Sequence, residues 1–308
     1  MSGSYVGRPQ SMHAVPGEET LALTPRWYRF VRINRREVPL SEFQTIRYSV
    51  ERGLATITLA RPDKRNAVDQ TMFAELGEAA EEAAADRAVR AVVVTGDGPS
   101  FCAGIDLSLI GELAGLAGRA SEDEAGFHSF VRMAQRPYRS LACMPKPTIA
   151  SIQGHALGAG FQLALGCDLR VAASDAKFGM LEARYGLIPD LGGTHRLARL
   201  VGPSRAKELV WSTRMVEAEE ALRIGLVNEV VEPGDLASAT AELARQVTQH
   251  SPSAVALIKD LIERAAETPL DAEFDREAEA QSTAIRGEDH HEAVAAFLEG
   301  RAPKFGPS

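Results

Sequence analysis

Two short stretches rich in small residues have the composition of loops that bind negative charge. The first, GHALGAGFQLALGCD at residues 154–168, places three glycines just before an apolar helical segment. A glycine-rich turn that leads into a helix presents backbone N–H groups, and the helix N-terminus adds about half a positive charge. Ala159 lies where the loop becomes a helix, so its N–H is predicted to be an unpaired donor.

The second stretch, SFCAGIDL at residues 100–107, also follows a predicted buried strand and places Ala103 and Gly104 at a turn. Two such turns could bring two N–H donors to one point. An enolate or thioester oxygen requires such a pair as negative charge builds on it. Glycines that merely allow tight strand–helix packing are the alternative interpretation, and neither loop alone excludes it.

A dinucleotide site is a weaker interpretation of the same glycines. GHALGAG fits G-x-x-x-G-x-G, the nucleotide loop of short-chain dehydrogenases. That family, however, places the loop after its first strand. It also needs a Tyr-x-x-x-Lys pair, which none of the five tyrosines provides.

Composition narrows the class of protein. The chain has 308 residues, 45% of them hydrophobic and 25% charged, which is typical of a globular protein with a sizeable core. A net charge of −8 argues against a general nucleic-acid binder. No apolar run reaches the ~18–20 residues that span a bilayer. Three cysteines without metal-ligand spacing, and no secretory signal, predict a reduced cytoplasmic setting and no metal site.

The elements that must position these loops alternate along the chain. IRYSV and LATITLA, joined by a turn at residues 51–53, predict a β-hairpin, and the segment after Asp69 predicts a helix with that residue as N-cap. RAVVVTG, TIASIQG, DLRVAAS and GLVNEVVE predict further strands. A helix is predicted at about 106–116, a longer one up to about Cys143, and a loop-rich insert over FGMLEARYGLIPDLGGTHRLARLVG. The alternation predicts an α/β core, and the chain from Ser251 predicts helix almost throughout.

Several motifs in order along residues 46–305 resemble the crotonase family, also called the enoyl-CoA hydratase/isomerase superfamily. They are RPDKRNAV (61–68), SFCAGIDL (100–107), KPTIASIQGHALGAGFQLALGCDLRVAA (146–173), FGMLEARYGLIPDLGGTHRL (178–197) and AFLEGRAPKF (296–305). The resemblance implies an α/β fold of repeated ββα units in a spiral, followed by a C-terminal helical trimerisation region. It also implies an acyl-CoA thioester substrate, whose carbonyl lies between the backbone N–H groups of Ala103 and Ala159.

The acidic positions depart from the hydratase pattern of this family. Hydratases of the family carry two glutamates that activate water, and these align with Gln162 and Glu182. Glutamine cannot accept a proton as a base. The apolar neighbours of Glu182 predict a partly buried carboxylate whose pKa is raised by desolvation. Members with a single glutamate at this second position move a double bond, so we expect isomerisation by Glu182.

Asp190 lies where dienoyl-CoA isomerases of the family place another acid. It is expected either to assist Glu182 or to shape the turn that follows it. Hydration of a 2-enoyl-CoA in fatty-acid β-oxidation, a dienoyl-CoA isomerase, and a non-catalytic acyl-CoA-binding protein are the alternatives that the sequence leaves open.

The resemblance also implies contacts to CoA, which is part of the substrate, so no separate cofactor is expected. The candidate contact residues are Lys64, Arg65, Ala67, Gly104, Ile105, Asp106, Phe297 and Arg301. The stretch from Leu107 to Arg136 is expected to shape the acyl pocket. We divide the chain into a partly mobile N-terminal extension (1–44), a spiral core (45–250) and a helical oligomerisation region (251–308). Its expected partners are the acyl-CoA and further copies of the chain in a trimer or hexamer, with no nucleic acid and no membrane.

Overall fold

The predicted hairpin is present at the start of the core. The computed structural model describes residues 43–109, 111 and 124–306, so the predicted N-terminal extension lies almost entirely outside the described residues. Strand β1 (Ile46–Glu51) pairs antiparallel with β2 (Leu54–Leu59), and Ile46 faces Leu59 across the ladder. Alternate residues of β2 are buried, as the apolar alternation of LATITL requires for a strand with one face on the core.

The strands form a larger and a smaller sheet. In the described residues the strands are β1, β2, β3 (Ala91–Gly96), β4 (Thr148–Ile152), β5 (His155–Leu157), β6 (Leu169–Ala173), β7 (Lys177–Gly179), β8 (Val216–Glu217) and β9 (Glu229–Val231). The larger sheet has the order β1-β2-β3-β4-β6-β9 and is parallel from β2 onward, and the smaller sheet has the order β5-β7-β8. Strands β3 and β4 are almost continuously buried, as expected when helices cover both faces of a parallel sheet.

The helices follow the strands in a repeating pattern. Among the described residues the α-helices are α1 (Gln70–Ala85), α2 (Glu124–Cys143), α3 (Ala159–Gly166), α4 (Gly193–Val201), α5 (Pro203–Ser212), α6 (Ala218–Arg223), α7 (Leu236–Thr248), α8 (Pro252–Arg264), α9 (Leu270–Arg286) and α10 (Glu288–Glu299). Strand β4 of the larger sheet leads to β5 of the smaller sheet and then to α3, and β6 leads in the same way to β7 and α4. This is the ββα repeat that the sequence predicted.

Local sequence accounts for the position of α1. The Asp69 carboxylate accepts the N–H of Met72 at 2.9 Å, so Asp69 is the N-cap that the sequence predicted. The buried face of the helix carries Met72, Phe73 and Leu76 against the larger sheet. A second apolar cluster, which includes Val93, Ile149 and Leu236, lies where α7 packs on the same sheet. The sheet therefore separates two apolar layers.

Two sequence predictions differ from the structure. The glycine stretch contains the short strand β5, which the sequence analysis missed, and the predicted loop-rich insert contains β7 and the helix α4. Glycine and proline at 189–193 indicated a loop, yet Gly192 adopts φ +90° and begins the helix as its N-cap. Of the helix predicted at 106–116, residues 107–109 are helical, and residues 110 and 112–116 lie outside the described residues.

The C-terminal helices pack less tightly than the core. Helices α8 and α9 contain no buried residue, and α10 buries only Ala296. Large apolar side chains on these three helices remain exposed: Ile258, Ile262, Leu270, Phe274, Ile285, Val294, Phe297 and Leu298. Across the described residues, no helix is both long and apolar enough to cross a bilayer.

Candidate active site

The glycine turn places the N-terminus of α3 at the surface of the second loop. Gly158 has φ +50° and is followed by Ala159, the first residue of the helix. The Ala159 N–H has no acceptor among the described residues, as expected for the first amide of a helix. Gly104, with φ +102°, approaches so closely that a Cβ there would lie 3.0 Å from Leu157 O and 4.0 Å from Ala159 N. The two turns are therefore in direct contact.

The second loop corrects one prediction. The N–H of Ala103 donates to Arg65 O at 2.9 Å, so it is not available to a ligand, and the prediction that Ala103 supplies a free donor is wrong. The backbone N–H of Ile105, two residues after Ala103, has no acceptor among the described residues. The Val68 N–H donates to Gly104 O, and the Val68 carbonyl accepts the N–H of Asp106. Since these two bonds form a parallel bridge between Val68 and Ile105, the N–H of Ile105 points away from Val68. Ile105 and Ala159 thus each carry an amide without an acceptor among the described residues, on turns that touch.

The side chain of Gln162, on α3, is held by three hydrogen bonds to residues outside that helix. It is 2% exposed, and its Oε1 accepts the N–H groups of Leu191 at 2.9 Å and Gly193 at 3.1 Å. Because the oxygen faces two donors, the amide nitrogen faces Glu182, and Nε2 donates to Glu182 Oε1 at 2.7 Å. A Cβ on Gly193 would lie 2.6 Å from Gln162 Cγ, so only glycine leaves room for this side chain. Gln162 therefore joins Glu182 to the loop before α4.

Glu182 is a buried carboxylate with one oxygen unused. It is 8% exposed and begins a short 3-10 turn, Glu182–Tyr185. Its Oε2 is buried and has no hydrogen-bond partner among the described residues. Burial raises the pKa of Glu182, the hydrogen bond from Gln162 opposes that rise, and the charge of Asp190 adds to it. The predicted burial and raised pKa of this carboxylate are confirmed. The carboxylate also lies beside the two turns, since a Cβ on Gly158 would be 3.5 Å from Glu182 Oε1.

Asp190 lies on the loop between Glu182 and α4, with surface exposed to solvent. Partial desolvation within that loop raises the pKa of its carboxylate. Its backbone carbonyl accepts Gln135 Nε2 from α2 at 2.7 Å. Since its charge also raises the pKa of Glu182, the two carboxylates influence one another electrostatically.

The segment at 61–68 is fixed against the second loop by a buried asparagine. Asn66 is fully buried, and its Nδ2 donates to Asp97 O and Ser100 O. Lys64 and Arg65 are exposed beside it and form no ion pair with the described residues. Their ammonium and guanidinium groups are thus free to contact a phosphate.

The remaining predicted CoA contacts have internal partners or lie apart. Asp106 accepts Arg61 Nη2 and both the N–H and Oγ of Ser108, which lowers its pKa, and Ala67 O accepts Arg61 Nη1. Near the C-terminus, Phe297 is 83% exposed on α10. Arg301 pairs with Glu292 and Glu299, so its charge is balanced within the chain.

Two residues that the sequence analysis did not single out reach the site from α2. Gln135 contacts Asp190 as described, and Tyr138 donates its hydroxyl to Ala159 O at 3.2 Å. No sequence motif marks them, because their partners lie far along the chain. No cluster of three or more potential metal ligands occurs among the described side chains.

Comparison with known proteins agrees with this architecture. The family model for enoyl-CoA hydratase/isomerase matches residues 49–308. A short-chain-enoyl-CoA hydratase from Clostridium acetobutylicum is 37% identical over 84% of this chain and 97% of its own length. A 1,2-epoxyphenylacetyl-CoA isomerase from Escherichia coli is 38% identical over 83% and 96%. The crystal structure of an enoyl-CoA hydratase from Bacillus anthracis has a TM-score of 0.77 at 33% identity, covering 86% of this chain and all of that one.

An α/β spiral with two donor turns beside a buried carboxylate thus defines the class of protein. The chain belongs to the enoyl-CoA hydratase/isomerase family of enzymes, the crotonase superfamily, which confirms the resemblance predicted from its motifs.

Proposed function

We propose that this enzyme moves a carbon–carbon double bond in an acyl-CoA thioester, from the 3,4 to the 2,3 position. The observation that carries the proposal is Glu182 Oε2, a buried carboxylate oxygen without a partner among the described residues, while Oε1 is held by Gln162. A carboxylate whose pKa is raised by burial can accept a proton and return it near neutral pH.

The reaction is a 1,3 proton shift. Glu182 removes a proton from C2, and the electrons of that C–H bond form the dienolate. The same carboxylic acid then delivers a proton to C4, and the double bond settles between C2 and C3. Atoms and electrons balance without a cofactor, water or a redox partner.

The dienolate oxygen requires two donors that need not reorganise. The amides of Ile105 and Ala159 are unpaired and lie on touching turns, which supports them as the oxyanion hole. Such donors are worth about 10²–10³ in rate each when they stabilise the charge of a transition state.

Gln162 supports isomerisation over hydration. Hydration needs a base that takes a proton from water, and an amide cannot serve as one. Both acceptor sites of Oε1 are occupied by Leu191 and Gly193. The remaining N–H of Nε2 can donate to a water oxygen and orient it, but it cannot take the proton that hydration must remove from that water. Hydration stays the second candidate because the Clostridium acetobutylicum relative is a hydratase.

Asp190 is proposed to assist rather than replace Glu182. Its raised pKa and its electrostatic influence on Glu182 support an acid/base pair for substrates with a longer conjugated system, as in a dienoyl-CoA isomerase.

Binding of the CoA phosphates by Lys64 and Arg65 is supported by their exposure and lack of internal ion pairs. The exposed apolar side chains of α8–α10 support self-association as a trimer or hexamer. Three cysteines without a disulfide support a reduced cytoplasmic setting.

A direct test supplies the enzyme with 3-enoyl-CoA and 2-enoyl-CoA separately and follows the absorbance of the conjugated thioester. Isomerisation produces that absorbance from the 3-enoyl substrate. Loss of absorbance from the 2-enoyl substrate would show hydration, and no change in either would leave a binding protein.

Deuterium at C2 of the 3-enoyl substrate sharpens the test. A single, buried Glu182 carries label from C2 to C4 of the product, because its proton exchanges slowly with solvent. Complete loss of label to solvent would contradict transfer by Glu182 alone and favour the pair with Asp190.

A further inference from the structure

Helix α2 contacts both halves of the site from one face. Tyr138 donates its hydroxyl to the carbonyl of Ala159, and Gln135 donates its side-chain amide to the carbonyl of Asp190. Residues three apart on a helix lie on the same side, so both bonds leave the helix in the same direction. The helix thereby joins the turn that carries an oxyanion donor to the loop that carries an acid.

The environment of Tyr138 makes its hydroxyl a permanent donor. The side chain is 3% exposed and packs against Phe73, with ring centroids 6.2 Å apart. Burial raises the pKa of the phenol well above its usual value, and the negative charges of Asp190 and Glu182 add to this. The hydroxyl is therefore protonated near neutral pH and donates to the carbonyl of Ala159.

We propose that Tyr138 and Gln135 are positioning residues that fix the distance between the Ala159 amide and the Asp190 loop. The assignment rests on the proposed isomerisation, since it assumes that the Ala159 amide meets an enolate oxygen. Neither residue touches substrate in this proposal. Each acts through the backbone of a neighbour, and sites of this kind tolerate displacements of only about 0.5 Å.

The two contacts predict different losses. Tyr138→Phe removes one neutral hydrogen bond at the oxyanion turn, and we expect kcat to fall about three- to tenfold. KM and the affinity for butyryl-CoA, a saturated thioester, should stay unchanged. Gln135→Leu frees the acid loop instead, so it should lower kcat by a similar factor without changing the oxyanion turn.

Acetoacetyl-CoA separates these effects, because its acidic C2 proton lets it form a stable enolate with its own ultraviolet absorbance. The fraction of bound acetoacetyl-CoA present as enolate at fixed pH reports the oxyanion donors alone. It should fall about three- to tenfold in Tyr138→Phe and stay unchanged in Gln135→Leu. Tyr48→Phe is the matched control, since the Tyr48 hydroxyl is buried in β1 without a partner among the described residues.

Each outcome decides the proposal. If Tyr138→Phe behaves like Tyr48→Phe, or lowers thermal stability while the folded fraction keeps its wild-type enolate signal, the assignment of Tyr138 is wrong. An equal fall in enolate fraction in both variants would overturn the separate role of Gln135. If the wild type forms the enolate but does not isomerise 3-enoyl-CoA, the proposed function and the role of Gln135 fail. In that case the enolate signal of Tyr138→Phe still decides Tyr138. A wild type that forms no enolate overturns both.

Discussion

The site around Gln162 and the C-terminal helices differ in what each leaves unsatisfied. At the site, Gln162 bonds to Glu182, Leu191 and Gly193, while Glu182 Oε2 is buried without a partner among the described residues. On α8–α10 several charged groups form ion pairs, as Arg276 does with Glu273, whereas apolar side chains such as Ile262 and Phe274 lie 65% and 60% exposed. A buried carboxylate oxygen without a donor can accept a proton, and a group of exposed apolar side chains can be covered by another protein surface. The comparison shows a site with one unpaired buried oxygen and a set of outer helices whose apolar side chains are left uncovered in this chain.

The largest expected effect comes from removing the buried carboxylate of the site. Glu182→Gln keeps an oxygen for the Gln162 amide but removes the base, so kcat for isomerisation should fall about 10²–10⁴-fold. Butyryl-CoA affinity should be retained, which calorimetry can measure. Glu51→Gln, at the exposed end of β1, is the control that should keep wild-type activity. Retained activity in Glu182→Gln would assign the base to another group.

Replacing Gln162, whose side-chain amide joins Glu182 to the loop before α4, should lower the free energy of unfolding. Gln162→Leu fills a similar volume but leaves the Leu191 and Gly193 amides without their acceptor. Each buried, unpaired donor costs about 1–3 kcal/mol, so the free energy of unfolding should fall by at least that amount in denaturant titrations. The variant also removes a hydrogen bond that lowers the pKa of Glu182, so the acid limb of kcat/KM should shift to higher pH. An unchanged unfolding midpoint would show that these amides find solvent.

The exposed apolar side chains of α8–α10 can be tested as an interface between copies of the chain. Ile262→Asp places a charge where an apolar contact is expected, and full burial of such a side chain is worth about 1.5–3 kcal/mol. Sedimentation should therefore show weaker self-association by roughly tenfold or more. Val50→Asp, which adds the same charge on the edge strand β1, should leave association unchanged. Equal effects of the two changes would contradict an interface on α8–α10.

The smallest expected effect is a pH dependence of stability. The pKa of Glu182 is higher in the folded protein than in the unfolded chain, so the folded state binds more protons between these two values. Stability must then fall as pH rises through that window. Relative to the wild type, Glu182→Gln should become progressively more stable across the window and level off above it. A difference that does not vary with pH would contradict the raised pKa.

Local patterns predicted the elements well because their causes are local. The Asp69 cap, the hairpin, and the start of α3 at Ala159 all depend on residues a few positions apart. The burial of Glu182 could be predicted from the apolar residues flanking it. These features require no knowledge of distant contacts.

Other features could not be predicted, because they depend on pairing between distant segments. Whether Ala103 or Ile105 has a free amide is decided by the direction in which each N–H points, and contacts with Arg65 and Val68 fix that direction. Likewise, Gln162 is oriented by amides 29 and 31 residues away. No pattern within either loop records these partners.

Gly193 shows how a residue without functional groups can control chemistry. Its missing side chain is the space that Gln162 occupies, at 2.6 Å from a would-be Cβ. Alanine there would push the amide away from Glu182 and disturb the first turn of α4 together. A genetic screen for lost activity should therefore return position 193 beside the acids, although glycine has no side chain that could react.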